Sequence, residues 1–219
     1  MITKIALIDP GHGGMIGGKY VTAPDKMFHH KGHPLELHGD GYFYEGVWNR
    51  VMALKVGSIL QERKIPYLYT IPFQYWNEDV SLKARVRFAN TIHDPFNRIF
   101  CGFFSIHANS HDGTARGFEV YTSIGETESD YIAQVHYKNV DQRLGGRIRM
   151  RPGDKPGEVD KERKFYVLHR TKMPAVLIEH LYFDNFDDVC LLVDPEVIRE
   201  FAEALADSIE SWMKGSFYL

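Results

Sequence analysis

Three unbroken apolar runs, each stopped by a polar residue, constrain this chain more than any other feature. Ile5-Ala6-Leu7-Ile8 ends at Asp9-Pro10-Gly11, Ile99 to Ile106 ends at His107, and Ala175-Val176-Leu177-Ile178 ends at Glu179. Runs this short and this apolar read as strands buried on both faces of a parallel sheet. Helical spacing fills the intervals. Glu45 to Arg63 repeats Val47, Val51, Leu54 and Leu60, and Leu82 to Thr91 sets Leu82, Val86 and Ala89 on one face with Arg85 on another. Ser129 to Leu144 reads as a helix ended by Gly145-Gly146, and Glu196 to Lys214 aligns Ile198, Phe201, Leu205, Ile209 and Trp212 on one side. Tyr67 to Ile71, between Pro66 and Pro72, and Gly117 to Thr122 add strands. Residues 15–44 and 147–164 show no period and read as loops. Strands alternating with helices predict an α/β fold. The expectation is a single three-layer domain with a mostly parallel or mixed twisted sheet of about six strands and helices on both faces.

Composition narrows the function classes. With 44% hydrophobic and 25% charged residues, the 219-residue chain can bury a core and reads as one domain over 1–219. Its 26 basic and 29 acidic residues leave a net charge of −3, without a Lys/Arg run. No nucleic-acid partner and no anionic membrane surface is expected of such a chain. No apolar run approaches a membrane span, so no membrane insertion is expected. Cys101 and Cys190 sit among apolar neighbours, as free buried thiols do in a reducing compartment. Met1-Ile2-Thr3-Lys4 leads straight into the first strand, so no signal peptide is expected. A monomer is expected.

Ligands in open α/β sheets bind at the carboxyl ends of the strands. Here those ends deliver His12 (three residues past Asp9), His107 and Glu179. Two imidazoles and a carboxylate meeting there are what a catalytic zinc takes while keeping a position for water. Each residue also has a plainer reading: His12 as a turn residue, His107 as a satisfied core histidine, Glu179 as the partner of His180. Singly the signals are weak, and their convergence is the stronger argument.

The surrounding motifs resemble one family. Leu7-Ile8-Asp9-Pro10-Gly11-His12-Gly13-Gly14 looks like the opening motif of the zinc-dependent N-acetylmuramoyl-L-alanine amidases, bacterial and phage cell-wall hydrolases. Glu45-Gly46-Val47-Trp48-Asn49 resembles that family's Glu-x-x-x-Asn, and Leu82 to Asn90 its Leu-x-x-Arg-x-x-x-Ala-Asn helix. Ser105-Ile106-His107-Ala108-Asn109 is similar to the second histidine motif, and Arg116 to Tyr121 to the strand after it. Pro174 to Glu179 resembles the last motif, with Asp184-Asn185 downstream.

The resemblance implies that His12, Glu45 and His107 hold one Zn²⁺ per chain and that Glu179 is the catalytic carboxylate. The third ligand then comes from a helix start, where the macrodipole favours a carboxylate. It further implies hydrolysis of the amide between the lactyl group of N-acetylmuramic acid and L-alanine of the peptidoglycan stem. Alternatives are a zinc peptidase cutting within peptides and a non-catalytic peptidoglycan-binding module. Asn109 is a candidate substrate contact, and Arg85 is expected to anchor its helix. Tyr42, Phe43, Tyr44, Phe73, Tyr75 and Trp76 are candidates for a glycan groove, with core packing the plainer reading. No separate cell-wall-binding domain is expected, and action on the wall follows release in phage or prophage lysis or non-classical export.

The chain also departs from the family's pattern. The interval between His12 and Glu45 is long and holds His29, His30, His33 and His38, read as a substrate-facing loop, with Glu36 the rival of Glu45 as ligand. Thr70-Ile71-Pro72-Phe73 stands where the family has Thr-Arg.

Overall fold

The computed structural model describes residues 2–31 and 41–215. Strand β1 (Thr3–Pro10) leads into two small ribbons, β2 (Met15–Ile16) with β3 (Lys19–Tyr20) and β4 (Met27–His29) with β5 (Tyr42–Tyr44). Then come α1 (Glu45–Glu62), β6 (Tyr67–Tyr69), α2 (Leu82–Ile92), β7 (Ile99–Asn109), β8 (Glu119–Thr122) and α3 (Glu128–Leu144). The chain continues through β9 (Lys161–Glu162), α4 (Tyr166–Arg170), β10 (Ala175–Tyr182), α5 (Phe186–Leu192) and α6 (Pro195–Met213).

Six strands form one sheet in the order β6-β1-β7-β10-β8-β9. The first four run parallel, β8 runs antiparallel to β10, and β9 pairs parallel with β8. Successive side chains on a strand point to opposite faces, so each apolar run feeds two cores. Ala6, Ile8, Phe104, Ile106, Val176 and Ile178 pack against α1, α3 and α6. Leu7, Phe103 and Leu177 face the other way, against Val86 and Ala89 of α2 and Val167 and Leu168 of α4. The expected three-layer α/β architecture is the observed one. Among the described residues no helix is long and apolar enough to cross a membrane.

Several local readings change. The interval 15–44, read as loop, contains both ribbons, and Arg147–Lys164 contains β9. Two-residue strands carry no detectable period. The short helices α4 and α5 were also not legible, although Asn185 caps α5 through the backbone N–H groups of Asp187 and Asp188. The buried face of α1 is rotated from the one read: Val51 and Leu54 are exposed, whereas Leu60 is buried as read, with Trp48, Met52, Ala53 and Val56. Glu45 sets that phase, because it must reach the histidines at the sheet's end. In α2, Leu82 is exposed and Arg85 is buried beside Val86 and Ala89.

The helical layer holds a titratable group. His136 of α3 is fully buried, its Nδ1 3.1 Å from Ser208 Oγ of α6, its ring edge-on to Phe118 and its Nε2 unpartnered. Burial, helped by the neighbouring His180, pushes its pKa down to about 3. The folded value lies below the unfolded 6.5, so this contribution to stability is complete above pH 6.5 and shrinks as pH falls toward 3. At pH 5 the loss is about 2 kcal/mol at 1.36 kcal/mol per unit. His136→Leu is therefore expected to lose less stability between pH 7 and 5 than the parent, by about that amount, in urea unfolding. Parallel pH dependences would refute this.

Candidate active site

Period-two alternation decides which groups face the site. Leu7 and Asp9, Phe103, Ser105 and His107, and Leu177 and Glu179 share the sheet face covered by α2 and α4. Strand register sets Asp9 beside Ser105, His107 beside Glu179, and Glu179 beside Glu119. The amino-terminal half of this face is apolar and the carboxyl-terminal half polar.

Asp9 anchors the turn that follows β1. It is 1% exposed, accepts hydrogen bonds from Thr70, from Arg85 Nη1 at 2.9 Å and from Ser105 Oγ at 2.8 Å. Burial alone would raise its pKa, but the Arg85 charge and these three donors outweigh burial and hold the carboxyl low. Arg85 also donates to the carbonyls of Pro10, His12 and Val80. It anchors its helix as expected, and in addition fixes the His12 turn. Arg50, which drew no attention in the sequence, donates to the same His12 carbonyl at 2.9 Å. Two guanidiniums on one carbonyl hold His12 at φ 63°, a left-handed conformation costly for a side chain with a Cβ. Close approach explains two flanking glycines. A Cβ on Gly11 would lie 2.1 Å from the His107 ring, and one on Gly46 would lie 1.8 Å from the Gly13 carbonyl oxygen.

His12, Glu45 and His107 converge. Glu45 Oε1 lies 3.2 Å from His12 Nε2 and 2.9 Å from His107 Nδ1, and the two rings meet edge-on at 4.9 Å. All three donor atoms lie within 4.8 Å of one another. Glu45 is the first residue of α1 and is 2% exposed. Burial works to raise its pKa, yet the two histidines overcome burial and keep it ionised, well below the usual carboxylate range. Burial pushes His107 down, so its imidazole is neutral at neutral pH. Two imidazoles and a carboxylate at this spacing can hold a divalent metal ion.

Glu179 stands beside His107 on the neighbouring strand, with a buried Oε2 that lacks any hydrogen-bond partner. Burial, then the charges of Glu45 and Glu119, drive its pKa well above 4.5 against the opposing Lys26. Glu119 has the opposite fate: buried too, it is held ionised by the Tyr121 and Tyr182 hydroxyls and by Lys161 of β9. A register shift in β10 between Glu179 and Tyr182 brings Tyr182 to this side. The cavity in front of these groups measures about 600 Å³, with His12, His107, Glu179, Lys26, Asp79 and Tyr166 among its walls.

Other side chains singled out in the sequence take the following places. His180 does not pair with Glu179: it lies on the opposite face, Nδ1 2.9 Å from the His107 carbonyl oxygen, against Trp48 and Phe201. Asn109 ends β7 half-buried, its Oδ1 accepting from Ser110 N–H, and is not among the cavity walls. His111 donates its backbone N–H to Asp184. Phe43 and Tyr44 are core residues, whereas Phe73 and Tyr75 are exposed. Thr70, in place of the missing Thr-Arg pair's threonine, donates to Asp9. His29 stacks on Tyr42 and His30 is buried against the Phe183 carbonyl, while His33, Glu36 and His38 lie outside the described residues.

Comparison with known proteins agrees with this geometry. The family described as N-acetylmuramoyl-L-alanine amidase matches residues 6–211. An uncharacterized cell wall amidase of Bacillus anthracis is 29% identical over 92% of this chain and 34% of its own length. An endolysin of Bacillus phage SPP1 is 34% identical over 49% of this chain and 38% of its own. The chain thus spans little more than a third of these curated relatives. The solved catalytic domain of CwlV, an N-acetylmuramoyl-L-alanine amidase from Paenibacillus polymyxa var. colistinus, superposes with a TM-score of 0.67 at 27% identity. That likeness covers 97% of this chain and 99% of that domain. With the match running from β1 to α6, the chain belongs to the N-acetylmuramoyl-L-alanine amidase family.

Proposed function

We propose that this protein is a zinc-dependent hydrolase of peptidoglycan, cutting the amide between the lactyl group of N-acetylmuramic acid and L-alanine. The observation that carries the reading is the His12–Glu45–His107 cluster beside a buried, unpartnered Glu179 Oε2. The donor set suits zinc: two imidazole nitrogens and one carboxylate oxygen, each on an element fixed by the fold. Zinc there supplies Lewis acidity, which activates water and polarises the amide carbonyl.

The remaining chemistry belongs to the chain. Glu179 Oε2 takes the proton of the attacking water and passes it to the departing amide nitrogen. Its raised pKa suits both halves of that transfer, because a base that is too acidic holds a proton too weakly to deliver it. Asp9, Arg85 and Arg50 keep His12 in its turn, and Tyr166 lines the cavity. Likeness to a phage endolysin supports action on the wall after release in lysis.

The test is product analysis of a muropeptide digest by mass spectrometry. Free lactyl carboxyls and new L-alanine amino termini are expected. New amino termini inside the peptide would replace this reading with a peptidase.

A further inference from the structure

The described residues between β1 and α1, 11–31 and 41–44, form a wall. Tyr20 Oη accepts from the Gly46 N–H at 2.9 Å and donates to the Lys26 carbonyl at 3.0 Å. Val21 N–H donates to the Gly14 carbonyl, and His30 Nε2 contacts the Phe183 carbonyl at 2.7 Å. Lys26 closes the 3₁₀ turn Pro24–Lys26, and the next residue, Met27, is paired with Tyr44, one residue before Glu45. Lys26 is therefore tied through its own carbonyl to the start of the helix that brings Glu45.

Its side chain lines the cavity with His12, His107 and Glu179. Lys26 and Glu179 act on one another through space without forming an ion pair. Lys26 pairs with Asp25 at a loose 3.7 Å, and Asp25 is 73% exposed. The other cation on the cavity wall, Arg85, is committed to Asp9 and three carbonyls. Asp79 and Glu179 are carboxyl groups on the same wall. Among the described residues, an anionic group entering this cavity finds Lys26 as its one available cation.

We propose that Lys26 is a specificity-determining residue that takes a free carboxylate of the substrate's stem peptide. The inference rests on the amidase reading above. In a muramyl peptide the sugar's own carboxyl is consumed in the scissile amide, so every remaining carboxylate lies on the peptide side. Lys26 consequently marks the side of the cavity that receives the peptide. A Lys26 that served only as counter-ion to Glu179 would instead affect charged and uncharged substrates alike.

Two substrates separate these roles: N-acetylmuramyl-L-alanyl-D-glutamate and its diamide. Lys26→Met is expected to raise KM for the diacid about tenfold, the scale of one hydrogen bond to a charged group, while KM for the diamide holds. Lys26→Arg should recover most of the loss. Equal effects on both substrates, or none on the diacid, overturn the proposal. Calorimetry on zinc-loaded Glu179→Gln protein, with and without Lys26→Met, reads the same preference as a ratio of Kd values. Wild-type protein that binds the diacid without cleaving it would sink the amidase reading and leave the Lys26 preference measurable.

Discussion

Replacing Glu179 with Gln is expected to lower kcat by about 10³-fold or more, within the 10²–10⁴ range or beyond for a lost general acid–base, while the metal stays bound. Glutamine keeps the shape and cannot shuttle a proton. The same substitution should stabilise the metal-free fold. Glu179 has a folded-state pKa well above the unfolded value of 4.5, because burial and two neighbouring carboxylates oppose its charge. Stability therefore falls as pH rises through 4.5 toward the folded pKa, since the unfolded chain ionises freely and the folded one does not. Gln carries no such penalty. Glu179→Gln should melt above the parent at pH 7.5 and with it near pH 4, both stripped of metal. Such an opposition of activity and stability belongs to sites held in an unfavourable environment for the sake of chemistry. Normal digestion of peptidoglycan by this variant would remove Glu179 from the mechanism.

Much of this site was legible because burial and chemistry leave marks of different kinds. Strands β1, β7 and β10 announce themselves as apolar runs, and the polar residue ending each run lies at the sheet's carboxyl end. From that pattern His12, His107 and Glu179 follow without reference to any other protein. Glu45 does not. It lies on a helix, and only the likeness of its motif to a family's drew it into the cluster. Its placement then explains why the buried face of α1 is rotated away from Val51 and Leu54, because hydrophobic spacing cannot register a helix whose first turn must deliver a carboxylate. Arg50 drew no reading, and Arg85 only that of a helix anchor, for a related reason: a guanidinium that satisfies buried carbonyls looks in sequence like any solvated charge. Lys26 and Lys161 sit in stretches without period, where position is set by single hydrogen bonds and two-residue pairings. Nothing in local composition reports those.

His107→Ala is expected to cost more than 100-fold in zinc affinity, since loss even of an outer-shell partner costs 10–100-fold, and to reduce turnover to background. The physical case starts from the metal-free protein. Glu45 is 2% exposed and ionised because His12 and His107 face it. Deleting one imidazole leaves a buried carboxylate with half its compensation, at a cost of about 1–3 kcal/mol for the lost hydrogen bond. Metal would normally replace the proton that His107 shares with Glu45, so the wild-type cluster is already arranged as a ligand set before any ion arrives. With zinc at 1,000 times Kd, binding stabilises the native state by about 4 kcal/mol, so the parent should show a large zinc-dependent rise in Tm and the variant almost none. Acid should reproduce part of this defect in the parent, because protonation of the imidazoles competes with the metal. Metal analysis after dialysis and melts across a zinc titration read both effects. If His107→Ala kept one tightly held zinc per chain, the ligands would have to be sought elsewhere, and the closeness of His12, Glu45 and His107 would be a hydrogen-bonded cluster alone.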